Sequence, residues 1–297
     1  MPEYPDIEVY IESLERHFAG TVLNRIRVQS ISLLRTFDPP IDAVHGQRVR
    51  GFRRMGKRIV WVMEEELFIV LHLMVSGRLR MKEPGVAIPR KSGAAAFDFD
   101  HASLLLTEAS SKKRASLQVI RGNEALSSVD PGGIEIFDID VDGFGEVLTG
   151  VKHTVKRALT DAHLFSGIGN AYSDEILHRA KVSPFKRTGA LTEDEIAAIF
   201  DATRQVLDQY TDALRQEVGD GFPDKVTAFR KDMIVHGKFG EECPVCGSPV
   251  QRIVYASNET NYCAPCQTGG KLLADRALSR LLKKDWPKTL EDLEEHK

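Results

Sequence analysis

The sequence predicts an α+β chain: an N-terminal helix with a β-sandwich domain, then a helical domain, then a small cysteine-bearing ribbon. Three observations carry that reading. Residues 3–18 repeat apolar side chains at helical spacing. Residues 21–120 break into short runs rich in Val, Ile, Leu and Phe, separated by Gly, Pro or acidic turns. After Pro131-Gly132-Gly133 the periodicity becomes helical again. The expected boundaries are a sandwich over 1–130, a helical domain over 131–236, a finger over 237–270 and an extension over 271–297.

In the first helix Ile7, Tyr10, Ile11, Leu14 and Phe18 share one face, and Gly20 is placed to end it. The strand-like runs are 21–28, 57–63, 67–74, 77–81, 95–100 and 103–108. Strands at this density suggest a sandwich. Beyond them, helices are expected over Lys152 to Asp161 and over Asn170 to Ala180, the second opened by the glycine-broken Ser166-Gly167-Ile168-Gly169. Thr192 and Glu195 have the spacing of a capping box. Behind them Ile196, Ile199, Phe200, Thr203, Val206, Leu207, Tyr210 and Leu214 mark a longer helix. The tail shows a short helical pattern at Leu273, Ala277, Leu278, Leu281 and Leu282 before Trp286-Pro287.

Composition is that of a globular protein, 42% hydrophobic and 28% charged over 297 residues. No apolar run approaches the roughly 20 residues that a membrane span needs. The N-terminus is acidic and lacks the basic start and apolar middle of a signal peptide, so a cytoplasmic location is expected. The net charge of −3 argues weakly against a nucleic-acid partner. Its distribution argues the other way. Glu3, Asp6, Glu8, Glu12 and Glu15 crowd the first helix, whereas Arg48, Arg50, Arg53, Arg54, Lys57 and Arg58 form a run with no acid among them. Further bases stand at Arg78, Arg80 and Lys82, and at Lys112, Lys113 and Arg114. Such a chain can present a basic cleft; taken singly, each cluster reads as a solvated strand face.

All four cysteines fall in one segment, Cys243-Pro-Val-Cys246 and Cys263-Ala-Pro-Cys266, with sixteen residues between the pairs. Two residues between cysteines let both sulfurs of a turn face one ion, and two such turns complete a tetrahedron. One structural zinc is expected, with no open position for catalysis. Disulfides are disfavoured without a secretory signal. The residues between the pairs read as strand, polar turn, strand.

Pro2 alone is an ordinary helix-starting proline. Five segments together say more. Met-Pro-Glu-Tyr-Pro-Asp-Ile-Glu (1–8), Gly56-Lys57-Arg58, His72-Leu73-Met74-Val75-Ser76-Gly77-Arg78-Leu79, Gly167-Ile168-Gly169-Asn170-Ala171-Tyr172-Ser173-Asp174-Glu175 and the terminal Asn261-Tyr262-Cys263-Ala264-Pro265-Cys266-Gln267 follow one another in order. In content and order they resemble the Fpg/Nei family of DNA glycosylases, bifunctional glycosylase/AP lyases with a helix–two-turns–helix module and a zinc finger. The resemblance implies base-excision repair of double-stranded DNA that carries a damaged base or an abasic site, by a monomer. Pro2, freed by loss of Met1, would attack C1′ of the damaged nucleotide and form a Schiff base. Glu3 would be the general acid and base. Asp6, where the family usually has Glu, would support that site. Lys57 would bring positive charge to the phosphate or assist base release. Asn170 would hold a phosphate at a helix start, with Tyr172 beside it. The sheet, module and finger would together bend the DNA and expel the lesion.

Three departures from the family pattern are visible. The loop that enters the space left by the flipped base reads Thr107-Glu108-Ala109-Ser110-Ser111-Lys112-Lys113-Arg114-Ala115-Ser116, without the family's stacking Phe and its partner Arg. Val75 stands at a usual wedge Met, although Met74 is adjacent. Asn258 aligns with an arginine that often grips phosphate. The amine chemistry is therefore better supported than lesion recognition. The other readings are a catalytically silent damaged-DNA-binding protein, a general zinc-ribbon nucleic-acid binder and a glycosylase for unusual bulky adducts.

Overall fold

The computed structural model describes residues 1–224, 226, 230–255, 258–274, 287–290 and 292. The expected tail positions Ala277, Leu278, Leu281, Leu282 and Trp286 lie outside them. The chain forms two compact units. The first is Met1–Pro131 with Gln209–Ala228; the second is Gly132–Asp208 with Phe229–Lys297.

The first unit opens with α1 (Tyr4–Phe18), capped by Glu3 and stopped at Ala19, whose backbone is extended. Its strands are β1 (Val22–Leu23), β2 (Arg25–Val28), β3 (Gln47–Met55), β4 (Arg58–Met63), β5 (Leu67–His72), β6 (Gly77–Lys82), β7 (Gly93–Asp98), β8 (Ser103–Glu108) and β9 (Ser116–Arg121), followed by α2 (Asn123–Ser128). They make two antiparallel sheets, β1-β3-β4-β5-β9 and β2-β7-β8-β6. The shared core joins Trp61, Ile69, Leu71, Leu117 and Phe97 to Ile7, Tyr10, Leu14 and Phe18 of α1. Trp61 lies 4.7 Å from Phe97 and 5.1 Å from Phe52, ring centroid to centroid. A second cluster of Met55, Val60, Phe68, Val70 and Ile120 lies under Leu126 of α2. The long sheet is therefore buried on both faces around β5, which explains why β5 reads as an unbroken apolar run and not as an alternation.

Residues 209–228 complete this unit. Arg215 pairs with Glu12 at 2.6 Å, Ser13 Oγ donates to the Gly221 carbonyl at 3.0 Å, and Phe222 packs on Tyr10 at 6.0 Å between centroids. Two strands, β3 and β9, were not among the apolar runs. In β3 the register slips between Val49 and Gly51, which breaks the alternation that would mark a strand. Its bases are largely paired within the unit. Arg50 meets Glu64 at 2.7 Å, Arg54 bonds Glu8 and lies over the Tyr4 ring at 4.3 Å, and Arg53 lies over Phe68 at 5.6 Å.

The second unit holds α3 (Val141–Thr149), α4 (Val155–Thr160), α5 (Asn170–Arg179) and the first part of α6 (Glu193–Val218). It also holds the hairpin β10 (Gln251–Tyr255) and β11 (Asn258–Tyr262), and α7 (Ala264–Thr268). The capping box at α6 is present: Thr192 N–H donates to Glu195 Oε2 at 2.9 Å, and Glu195 N–H donates to Thr192 Oγ1 at 3.2 Å. Phe144 packs between Phe165 and Phe200, at 4.9 and 5.5 Å. Among the described residues no helix is long and apolar enough to cross a membrane.

Candidate active site and metal centre

In the first unit a cluster of charged groups gathers at the N-terminus of α1. Pro2, Glu3 and Asp6 are buried. Glu3 and Asp6 form a reciprocal capping box: Asp6 Oδ2 accepts the Glu3 N–H at 2.8 Å, and the Glu3 carboxylate accepts the Asp6 N–H. Asp6 Oδ1 is buried with no hydrogen-bond partner among the described residues. Burial, with the neighbouring Glu3 charge adding to it, pushes the Asp6 carboxyl up to about 7 against the Glu3 N–H bond. Burial also lowers the N-terminal ammonium. Arg78 and Lys57 lower it further, while Glu3 and Asp6 oppose them.

Lys57 reaches this cluster because β3 and β4 turn back through two residues, with Met55 paired to Arg58. Gly56 takes φ +63°, which a two-residue hairpin turn of this kind requires. Burial lowers the Lys57 ammonium from its ordinary value, and Glu3 opposes the shift. His72 faces Arg58 across β4 and β5. Burial, then Arg58 and Lys57, push it down to about 4, so it is neutral at physiological pH. Its Nδ1 accepts the Met74 N–H at 3.0 Å.

The turn after β5 carries Met74 at φ +52° and leaves Val75 56% exposed. A Cβ on Gly77 would stand 2.2 Å from the Leu73 carbonyl oxygen, so only glycine fits where this turn re-enters the sheet. The loop after β8 is tied by a residue that sequence reasoning missed. Glu108 is 2% exposed, and its Oε1 accepts the N–H of Arg114 at 2.7 Å and of Ala115 at 3.2 Å. Ser76 Oγ donates to the same oxygen at 3.3 Å, joining the two loops. Lys112 and Arg114 are exposed. Lys113 is turned back, its Nζ donating to the carbonyls of Glu108 and Lys91.

In the second unit Asn170 opens α5 behind the extended Gly169. Its Nδ2 donates to the Glu259 carbonyl of β11 at 2.8 Å. The Tyr172 side chain is fully buried, because two residues along a helix turn it to a different side from Asn170. Asn258 opens β11; its side chain lies outside what is described.

Next along α5 comes a buried polar network that the sequence did not disclose. Asp174 Oδ1 accepts from Lys156 Nζ at 2.6 Å. Asp174 Oδ2 lies 2.8 Å from His236 Nδ1 and accepts the Asn261 N–H at 3.2 Å. The Glu175 carboxylate accepts the N–H groups of Ile234, Val235 and His236 at 2.8–2.9 Å. The sequence signals were two adjacent acids on a helix and their place at the end of the Gly167–Glu175 segment, neither of which named their partners.

The four cysteine sulfurs converge. Cys243 and Cys266 are 4.0 Å apart, and Cys246 and Cys263 are 3.3 Å apart. Tetrahedral zinc with Zn–S of about 2.3 Å needs sulfurs about 3.8 Å apart, whereas a disulfide brings them to about 2.05 Å. The first pair turns on Gly247 at φ +74°, with the Cys243 N–H bonded to the Ser248 carbonyl at 2.8 Å. The second runs into α7, where Gln267 Oε1 accepts the Cys263 N–H at 2.8 Å. The donor set fits one structural zinc held by Cys243, Cys246, Cys263 and Cys266.

Three family descriptions match successive parts of the chain. The formamidopyrimidine-DNA glycosylase N-terminal domain matches residues 1–119, the formamidopyrimidine-DNA glycosylase H2TH domain matches 133–218, and the zinc finger found in FPG and IleRS matches 240–269. An uncharacterized formamidopyrimidine-DNA glycosylase-like protein of Mycobacterium tuberculosis is 42% identical over 151 residues, 51% of this chain and 94% of that relative. A formamidopyrimidine-DNA glycosylase of Listeria innocua is 28% identical over 90% of this chain and all of its own length. Among solved structures, MutM in complex with DNA containing carbocyclic 8-oxo-G superposes with a TM-score of 0.80 at 24% identity, over 90% of this chain and 100% of that one. Lactococcus lactis Fpg with abasic-site DNA gives 0.78 at 24% identity, over 90% and 99%. The structural likeness shows a shared fold; the order of the three matched domains and the 42% identical relative show more, and the chain belongs to the formamidopyrimidine-DNA glycosylase family.

Proposed function

We propose that this chain is a DNA glycosylase of base-excision repair that also cleaves the abasic site, with the amine of Pro2 as nucleophile. The observation that carries the reading is the buried corner where Pro2 precedes Glu3, the cap of α1, beside Asp6 and Lys57. Loss of Met1 makes the Pro2 nitrogen a secondary amine. That nitrogen must be uncharged to attack; the positive end of the helix disfavours an ammonium there, and at the adjoining Met1 terminus burial lowers the ammonium, with Glu3 and Asp6 opposing and Arg78 and Lys57 adding. Its lone pair bonds to C1′ while the bond from C1′ to the base breaks. The base leaves with a proton, and the sugar ring opens to an iminium. Elimination then removes a proton from C2′ and expels the 3′ phosphate, and a second elimination expels the 5′ phosphate. Glu3, one residue away, delivers and collects these protons. The relatives named for this activity, and the neighbours solved with damaged or abasic-site DNA, support the substrate class.

The test is borohydride trapping on an abasic-site duplex with peptide mapping of the adduct, repeated on a panel of defined lesions. The expected adduct is on Pro2, and a retained Met1 or an N-terminal tag abolishes it. An adduct on Lys57 with Pro2 unmodified overturns the assignment. The loop after β8, closed on Glu108 with Lys113 turned inward, supports stronger cleavage of plain abasic sites than excision of bases that need a void-filling side chain.

A further inference from the structure

One face of α5 is laid along the finger. Asn170, Asp174 and His178 follow at four-residue spacing, so they line a single side of the helix. Each bonds a different part of the finger: Asn170 the Glu259 carbonyl, Asp174 the Asn261 N–H, and His178 the first cysteine pair. His178 is 6% exposed, and its Nε2 lies 3.3 Å from Cys243 Sγ. The Nε2 and the sulfurs of Cys243, Cys263 and Cys266 all lie within 4.8 Å of one another. Cys246 Sγ stands outside that set of four but lies 3.3 Å from Cys263 Sγ, so the centre offers five donors where tetrahedral zinc uses four.

Four thiolates around a divalent ion leave an excess of negative charge on sulfur. Cys243 and Cys263 are buried, so that charge is poorly reached by water. A buried anion needs hydrogen-bond donors. The cysteines already fill the tetrahedron, and the imidazole arrives from a different element, at hydrogen-bond distance from one sulfur. We infer that His178 is an outer-sphere member of the zinc centre: its Nε2–H donates to the Cys243 thiolate and anchors the metal site to α5. It is a positioning residue, since it acts on the metal through Cys243. The inference rests on the four-cysteine zinc site and not on the proposed reaction.

Two measurements on the full chain test it. In the cobalt-substituted protein, His178→Phe is expected to move the sulfur-to-metal charge-transfer bands to lower energy, because the thiolate loses a donor, while the d–d bands keep the pattern of four sulfurs. In competition with a chromophoric chelator the same variant is expected to bind zinc about 10–100-fold more weakly, the usual cost of losing an outer-sphere partner, and His178→Gln is expected to recover part of that loss. Unchanged charge-transfer energy and affinity overturn the proposal. So do d–d bands in the unsubstituted chain that show three sulfurs and one nitrogen, since His178 would then be a ligand. Because His178→Phe could fail to fold, imidazole nitrogen shifts of the zinc-loaded unsubstituted chain give an independent answer. A protonated Nε2 is expected for His178, and an unprotonated Nε2 overturns the assignment.

Discussion

Asp6 and Glu3 stand one helical turn apart, yet both are buried at one helix start, and this sets the proton inventory of the corner. The Asp6 carboxyl at about 7 keeps, in the folded chain, a proton that the unfolded chain releases near 3.8. The stability that this group contributes is therefore full below about pH 4 and is lost as pH rises through 7. Asp6→Asn can still accept the Glu3 N–H but cannot ionise. The melting temperature of the variant relative to the parent should climb from pH 5 to pH 8; a constant difference across that range would mean that Asp6 carries no such proton. Glu3→Gln should keep DNA affinity and lose most base excision, since general acid–base help is typically worth about 10²–10⁴-fold. Single-turnover excision beside a binding titration separates the two effects.

At the scale of elements, what the sequence disclosed and what it hid follow from how local each feature is. The first helix was legible because its apolar positions and its stop lie within about twenty residues. The zinc hairpin was legible because the ligand spacing is itself local. Strand β3 was not, because a bulge interrupts its alternation and its arginines drew attention as charge. Glu108 and Asp174 were also hidden, since their value lies in partners brought from elsewhere: Arg114 and Ser76 for one, Lys156, His236 and Asn261 for the other. The burial of Tyr172 was hidden as well, because a motif read as a string does not show which way each side chain turns on the helix. The turn between β5 and β6 offers a direct test of element-level geometry. Gly77→Ala sets a methyl against the Leu73 carbonyl and should cost about 1–3 kcal/mol, read as a lower urea midpoint with an unchanged slope. A midpoint equal to that of the parent would show that the turn has room to open.

Over the whole molecule, metal and charge act on different parts of the chain. Cys243 and Cys263 share a small core with Val235 and Val250, and that core lies wholly in the second unit. Chelation should therefore unfold the finger and leave the sandwich folded. Hydrogen exchange with and without a chelator should show lost protection around 235–267 and unchanged protection in β4, β5 and β8; loss in those strands would refute this independence. Arg50, Arg54 and Arg215 are satisfied internally, so clusters of bases in the sequence overstate the positive charge they offer a partner. If a few local phosphate contacts carry binding, log affinity for a duplex should fall linearly with log salt.

The chain leaves the first unit at Pro131 and returns to it at Gln209, and that detour bears on how the protein is made. A nascent chain that has just delivered β9 and α2 still lacks Phe222, Val226 and the partner of Glu12. At about 5–20 residues per second, the ribosome needs roughly 5–20 s more to supply them. Through that interval the sandwich waits with part of its apolar surface uncovered, and chaperones have access to it. A stalled chain ending at residue 131 should be cut readily by protease, and one ending at residue 260, with 209–228 clear of the exit tunnel, should resist.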